Sequence, residues 1–317
     1  MKRILLLAAI LLVFGLASGF AQDMAAPALT FSGSLYSGLE FDATAAPVVV
    51  SARLWDQTNG DPEDVWLDGA LAGKVAGLKF EFYTSDGTNA KVDVLYGWWK
   101  PIDMITISGG EGVGDLYTTP IEGWDSSSGN GWQVAVVPID GLQLGLWYAA
   151  GLTAAPLAAT QISATASYDM ANVGKIGFGY SMNYAWGGFQ LKAVEGLKAN
   201  LDFEYYLAAN ANGATTAINT YRGEVDVAYT VAGFTPEVWG YMSSKTGDAP
   251  FGVKPIVSYT MDIFTPSIYV EYDAFATPSW SAGANLSVAV EKQTIYFYFN
   301  YQSAQTWNGG VNFKMAF

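Results

Sequence analysis

Charged side chains recur at alternate positions along many β-strand-like segments of this 317-residue chain. Successive side chains of a strand point to opposite faces, so these charges share one face and apolar residues share the other. Such a polar face can attract and sort hydrated ions and small polar solutes. Any solvated strand face also carries charges, so only their sum is informative. The acidic candidates, which outnumber the basic ones, are Asp68, Glu81, Asp93, Asp202, Glu204, Glu224, Asp226, Glu271 and Asp273, and the basic ones are Lys79, Lys91, Lys198, Arg222, Lys254 and Lys314.

Histidine and cysteine are both absent. Metal sites of the His or Cys kind, Ser–His nucleophiles, disulfides and a lipid anchor on an N-terminal cysteine are therefore excluded. No glycine-rich phosphate loop joins a strand to a helix. The composition is compatible with a carboxylate-pair glycosidase, but no pair of acids stands out. We expect no catalytic residues, no cofactor and no metal, and the net charge of −14 disfavours nucleic acid as a partner.

The polar face must be positioned by strands, because the chain shows short alternating segments separated by Gly, Asp, Asn, Pro and Lys clusters. Residues 197–207 and 295–302 alternate strictly, and residues 176–184 read as one further strand. No composition break or linker follows residue 21. We therefore predict a single all-β domain over residues 22–317.

Residues 1–21 read as a secretory signal peptide, with Lys2 and Arg3 before an apolar run and small residues at Gly19 and Ala21. A membrane anchor is the alternative, but the run is short for spanning a bilayer. The chain is 51% hydrophobic and only 14% charged, yet no later run could form a transmembrane helix. A membrane protein without such helices must be a β-barrel.

Two kinds of connection alternate along the chain, tight turns and looser loops, as expected of a transmembrane antiparallel up-and-down barrel with short periplasmic turns. About 18 strands are predicted, 17 of them after residue 64. The surplus apolar stretch Val48–Trp55 is assigned to the first outer loop. Sixteen strands would fit if Gly188–Ala193 merged with its neighbour.

Aromatic residues near the ends of these strands predict girdles at the two membrane interfaces. The alternative is the core of a soluble β-sandwich. The residues concerned are Trp98, Trp99, Trp132, Tyr148, Tyr184, Trp239, Tyr272 and Tyr301.

The last residues, Val311–Phe317, alternate apolar with polar or small side chains and end on phenylalanine. This segment resembles the terminal strand of bacterial outer-membrane barrels, although Met315 stands where that family often has tyrosine. The resemblance implies a porin-like barrel of the outer membrane. It also implies that Phe313 and Phe317 form a signal for the barrel-assembly machinery. We expect this strand to pair with residues 29–41, and Lys314 to face the lumen with the charged residues above.

The connection 111–130 is acidic and contains no Lys or Arg. Its Pro120–Gly123 stretch resembles the loop that narrows general-diffusion porins. The resemblance implies a pore constriction formed by acids of this loop opposite basic residues of the wall. An exposed surface loop is the alternative. The constriction candidates are Glu111, Asp115, Glu122 and Asp125, with Arg222 or neighbouring lysines opposite.

The expected function is a porin, a passive outer-membrane channel for small hydrophilic solutes with a mild cation preference. Outer-membrane lipid is its expected surrounding, and a homotrimer is implied by the resemblance alone. A non-conducting adhesin or structural barrel remains the main alternative, and a soluble exported β-protein is a further one.

Overall fold

The computed structural model describes residues 28–43, 49–53, 65–84, 91–123, 129–149, 162–181, 184–207, 219–245, 247–304 and 306–316. All regular elements in these ranges are strands, and none of the described residues forms a helix long and apolar enough to cross a membrane. The strands are β1 (Ala28–Asp42), β2 (Val49–Arg53), β3 (Val65–Ala72), β4 (Ala76–Thr84), β5 (Lys91–Ile102), β6 (Ile105–Val113), β7 (Gly129–Ile139), β8 (Leu142–Ala149), β9 (Ile162–Met170), β10 (Gly174–Ser181), β11 (Tyr184–Leu191), β12 (Leu197–Tyr206), β13 (Thr220–Tyr229), β14 (Phe234–Ser243), β15 (Phe251–Tyr259), β16 (Phe264–Asp273), β17 (Ser279–Val290), β18 (Gln293–Gln302) and β19 (Trp307–Ala316).

Every strand from β3 to β18 pairs antiparallel with the next strand along the chain. At the two ends of this series, β1 pairs with β3 and also with β19, in a register that places Ser34 opposite Ala316 and Asp42 opposite Asn308. The pairing of the last strand with the first, expected from the sequence, is therefore present. The architecture is the predicted antiparallel up-and-down β-barrel.

The structure has 19 strands, but β2 and β3 share one position in the sheet. β2 pairs with residues 38–42 of β1, and β3 pairs with residues 28–35. Since β19 occupies the other edge of β1, both lie on the same edge. The barrel thus has eighteen strand positions, as predicted, whereas the assignment of Val48–Trp55 to a loop was wrong for Val49–Arg53, which form sheet.

The barrel is apolar outside and polar inside. Phe203 is 46% exposed and Phe297 43%, whereas Asp202 and Glu204 are each 1% exposed. The alternation predicted for residues 197–207 and 295–302 is confirmed by the exposure pattern of β12 and β18. A soluble β-protein buries its apolar face, whereas this inverted pattern is the one expected of a barrel whose outer surface meets lipid.

The segment 176–184 is not one strand, because β10 ends at Ser181 and Tyr184 begins β11. The 16-strand alternative, which merged Gly188–Ala193 with its neighbour, is also wrong, because Gly188–Leu191 belong to β11, a strand separate from β10 and β12. Tyr184 stacks on the buried Trp186, and Trp239 donates its indole N–H to the inward-facing Glu224. These tyrosine and tryptophan side chains belong to the interior, and their assignment to a girdle was wrong.

The two ends of the barrel differ. Short turns such as 103–104, 140–141 and 291–292 lie at the end that also holds Ala28 and Ala316, and the longer connections lie at the opposite end. We name two of these longer connections L3 (residues 114–128, between β6 and β7) and L7 (residues 244–250, between β14 and β15). The predicted signal peptide, residues 1–21, and Phe317 lie outside the described residues.

Candidate functional site

The described part of L3, residues 114–123, folds into the barrel and lies against the inner wall. Leu116 is 5% exposed, Tyr117 3% and Thr119 4%. The Tyr117 hydroxyl donates to the Gly188 carbonyl oxygen at 3.1 Å, and the Trp186 indole N–H donates to the Tyr117 carbonyl oxygen at 3.3 Å. The sequence left open whether this connection folds inward or is an exposed surface loop, and in the structure it folds inward.

Three inward-facing glycines make room for L3. A Cβ atom on Gly145 of β8 would collide with Leu116, and one on Gly177 of β10 would collide with the Tyr117 ring. A Cβ on Gly188 of β11 would lie 2.6 Å from Pro120. The wall therefore has a groove where side chains are missing, and L3 fills it.

The tip of L3 is held by one carboxylate. The backbone N–H groups of Ile121 and Glu122 both donate to Asp202 Oδ2, at 2.9 and 2.8 Å, and the Thr119 side chain also bonds Asp202. Hydrogen bonds to a charged group are about twice as strong as neutral ones. Asp202 is thus a structural anchor for the loop.

Tyr117 is enclosed between L3 and the wall. Its burial, reinforced by the nearby Asp202 carboxylate, raises the pKa of Tyr117 to about 12 despite its hydrogen bond to Gly188. The Lys175 ammonium lies 5.5 Å from the Tyr117 ring centroid. The phenol therefore stays neutral under any physiological condition and acts in packing and hydrogen bonding.

Beyond Asp202, the exposed side chain of Glu122 approaches a charged cluster on β13. Both Arg222 and Glu224 lie close enough to Glu122 to interact with it. Arg222 forms an ion pair with Glu224 and reaches Asp248 of L7 at 3.5 Å. Two carboxylates of the loops thus meet one guanidinium of the wall.

L7 lies on the same wall beside L3. The Lys245 ammonium bonds Glu204 Oε1 at 2.9 Å and lies 4.8 Å from the Tyr206 ring centroid. Burial lowers the pKa of Lys245, but the bond and charge of Glu204, with the nearby Tyr206, outweigh it and raise this pKa above its usual value. Ser243 and Asp248 share a 2.7 Å hydrogen bond that holds the other end of L7.

The predicted constriction residues are only partly brought together. Glu122 and Arg222 lie near each other, as described above. Glu111 ends up on β6 opposite Leu95, and Asp115 is exposed on L3 two residues before Tyr117. Asp125 lies outside the described residues.

Most of the other charged residues predicted to face the lumen form three patches. Asp68, Lys79 and Asp93 surround Glu81 on β3–β5. Lys198 is ion-paired with Asp226 and Glu237, and Lys254 with Glu271 at 3.1 Å. Three predicted charges lie outside these patches. Asp273 accepts a hydrogen bond from the Tyr241 hydroxyl at 2.8 Å, and the Lys91 ammonium lies 5.5 Å from the Tyr83 ring centroid. Lys314 is opposite Tyr36 on β1.

Sequence reasoning missed Lys245 and Asp248 of L7 and the inward aromatic residues Tyr117 and Trp186. Trp186 lies two residues before Gly188, so the two residues share one face of an alternating strand. No other feature of the sequence indicates that Trp186 points inward. Among the described residues, no group of three or more acidic side chains is arranged to hold a metal ion.

No family model and no curated protein matches the sequence. Solved structures do match. The outer membrane protein OpdK of Pseudomonas aeruginosa has a TM-score of 0.61 at 11% identity, covering 92% of this chain and 99% of that chain. P. aeruginosa OccK2 (OpdF) in complex with glucuronate has a TM-score of 0.59 at 12% identity over 92% and 98%. A mutant Rhodopseudomonas blastica porin has a TM-score of 0.56 at 12% identity over 92% and 100%. The fold is that of porin-like barrels.

Proposed function

We propose that this protein is a channel of the bacterial outer membrane, through which small hydrophilic solutes diffuse passively, and that L3 forms its constriction. The observation that carries the proposal is the attachment of Ile121 and Glu122 to Asp202, inside a barrel whose apolar side chains point outward. Barrels of 16–18 strands enclose an aqueous passage. A loop fixed within that passage narrows it.

The proposed constriction places Glu122 of L3 opposite Arg222, and Asp115 and Asp125 of L3 and Glu111 of β6 contribute from the same connection. A mild cation preference is part of the proposal. Asp202, Glu204, Glu224 and Asp226 are each bonded to an N–H group or a basic side chain, so their charges are partly compensated. The preference is therefore assigned mainly to Glu122 and to the patch around Glu81, where carboxylates outnumber the single Lys79.

Export and assembly complete the proposal. Residues 1–21 serve as a cleaved signal peptide, and residues 22–317 form the mature barrel. Phe313 and Phe317 are read by the barrel-assembly machinery, outer-membrane lipid surrounds the barrel, and three copies form a homotrimer. No catalytic activity or cofactor is assigned to the protein.

Planar-bilayer recording of the purified protein tests the channel. We expect discrete conductance steps and, under a KCl gradient, a reversal potential of the sign that cation preference requires. Folding is checked by heat-modifiable gel mobility. A folded protein that adds no conductance would overturn the proposal in favour of a structural or adhesive barrel.

The constriction has its own test in Gly177→Val, whose side chain would occupy the space of the Tyr117 ring. We expect displaced L3 to give a larger and noisier open-channel current. Ala166→Val is the matched control, since Ala166 lies on neighbouring β9 and is exposed on the outer face. Equal currents in the two variants would show that L3 does not limit conduction.

A further inference from the structure

We propose that neutral, hydroxyl-rich solutes of the carbohydrate class bind the inner wall formed by β17–β19 during passage. This inference rests on the proposed channel function and names its solute class. We define the amide–tyrosine face as Asn285 on β17, Tyr296, Tyr298 and Asn300 on β18, and Asn308 and Asn312 on β19.

The strand register puts these six side chains on one side of the sheet. Tyr298 is opposite Asn285 on one neighbour, and Asn300 is opposite Asn308 on the other. Tyr296 is opposite Asn312. Phe297 and Phe299 between them are exposed on the outer surface, so the face looks into the barrel.

The two tyrosine rings form a continuous platform. Their centroids are 6.2 Å apart and their planes differ by 21°. A Cβ on Gly310 would lie 2.8 Å from the Tyr298 ring, so the missing side chain allows the ring to lie against β19. The negative π face of such a ring attracts positively polarised edges, and the C–H groups on the flat side of a sugar ring present one.

The surrounding amides supply hydrogen bonding of the complementary kind. A primary amide both donates and accepts, as a sugar hydroxyl does. Asn300 Oδ1, Asn308 Oδ1 and Asn312 Nδ2 make no hydrogen bond within the described part of the chain. Rotation about the last torsion of an asparagine is loosely restricted, so each amide can exchange its oxygen and nitrogen positions to suit a solute. The face therefore holds hydrogen-bonding capacity that the protein leaves unused.

Charge distinguishes a neutral sugar from a sugar acid. Among the inward positions of β17–β19, all of which the structure describes, only Lys314 is charged. The basic side chains of β12–β16 and of L7 are ion-paired in every described case, namely Lys198, Arg222, Lys245 and Lys254. A carboxylate ligand that drew on the basic side chains of β12–β16 or L7 would have to break one of these pairs, whereas a neutral solute would not.

Single-channel recording with added solute tests the inference. Maltotriose, a neutral trisaccharide, should interrupt the current in a concentration-dependent manner. Glucuronate and the neutral aromatic solute nicotinamide should do so at least several-fold less at equal concentration. Tyr298→Leu should weaken the maltotriose effect roughly two- to tenfold. Tyr298→Phe, which retains the ring, should keep most of it.

Phe299→Leu is the matched control, because it changes an aromatic side chain on the outer face of the same strand. It should leave the maltotriose effect unchanged. Channels that conduct but ignore maltotriose, or that respond equally to nicotinamide or glucuronate, would overturn this inference while leaving the channel intact. An unaltered effect in Tyr298→Leu would also overturn it. Absence of any conductance would instead refute the proposed function beneath it.

Discussion

The backbone N–H of Glu122 donates to Oδ2 of Asp202 at 2.8 Å, and 80 residues of chain separate the two. This bond joins the acidic tip of L3 to the inner wall of β12. Because Asp202 is buried, its charge is balanced by the loop and not by water. The position of the loop and the stability of the wall are therefore linked.

Asp202→Ala should release the tip of L3. Hydrogen bonds to a charged group contribute about 1.5–3 kcal/mol each, and the variant loses several. We expect increased mean conductance, more open-channel noise and a lower temperature for the heat-modifiable gel transition. Phe203→Ala, on the outer face of the same strand, should leave noise and conductance unchanged. Identical noise in the two variants would show that Asp202 does not hold the loop.

Removal of Arg222 alone should lower the free energy of unfolding more than replacement of both Arg222 and Glu224 does. The Glu224 side chain is 0% exposed, so Arg222→Met leaves a buried carboxylate without its main partner. Breaking a buried pair typically costs about 3–5 kcal/mol, whereas apolar replacement of both members is often close to neutral. Arg222→Met/Glu224→Leu should therefore recover much of the stability lost in Arg222→Met. Urea unfolding in lipid measures this, and additive losses would contradict the pairing.

Tyr117 should make stability depend on alkaline pH. Its pKa is raised to about 12 in the folded protein, against 10.0 for a free tyrosine. Between these values the unfolded chain is ionised at Tyr117 while the folded one is neutral, so stability falls as pH rises, by about 1.4 kcal/mol per unit. Below pH 10 this contribution is fully present.

Comparison of wild type with Tyr117→Phe separates the pH dependence of stability due to Tyr117 from that due to other tyrosines. The variant lacks the bond to Gly188 and should be less stable than wild type at pH 7. The gap should narrow through pH 10–12, measured by urea unfolding at each pH. A gap that does not change with pH would place Tyr117 in a solvated environment.

Strand periodicity predicted the fold because lipid on one side and water on the other impose a strict alternation. It failed at residues 176–184, where the alternation continues in sequence across the two-residue connection between β10 and β11. Tyr184 therefore looked like a continuation of the Tyr180 face, although it points inward.

The candidate site was predictable only in its charges. The alternation of inward and outward positions along the strands identified Arg222 and Glu224. The groove for L3, however, is formed by the missing side chains of Gly145, Gly177 and Gly188, which the sequence alone cannot distinguish from ordinary strand glycines. Lys245 bonds Glu204 from 41 residues away, and no local pattern reports such a contact.

The last strand offers a paired test of the two faces. Phe313 is opposite Ile295 and Lys314 is opposite Thr294, so adjacent residues have opposite surroundings. Phe313→Arg places a charge on the lipid side at a cost of about 1 kcal/mol or more, and also alters the proposed assembly signal, so less folded barrel should reach the outer membrane. Phe313→Leu should assemble normally.

Lys314→Glu should also assemble, and it should raise the cation-to-anion permeability ratio because an inward positive charge becomes negative. Outer-membrane fractionation and reversal potentials measure the two effects. Impaired assembly in Lys314→Glu together with normal assembly in Phe313→Arg would reverse the assignment of inner and outer faces on β19.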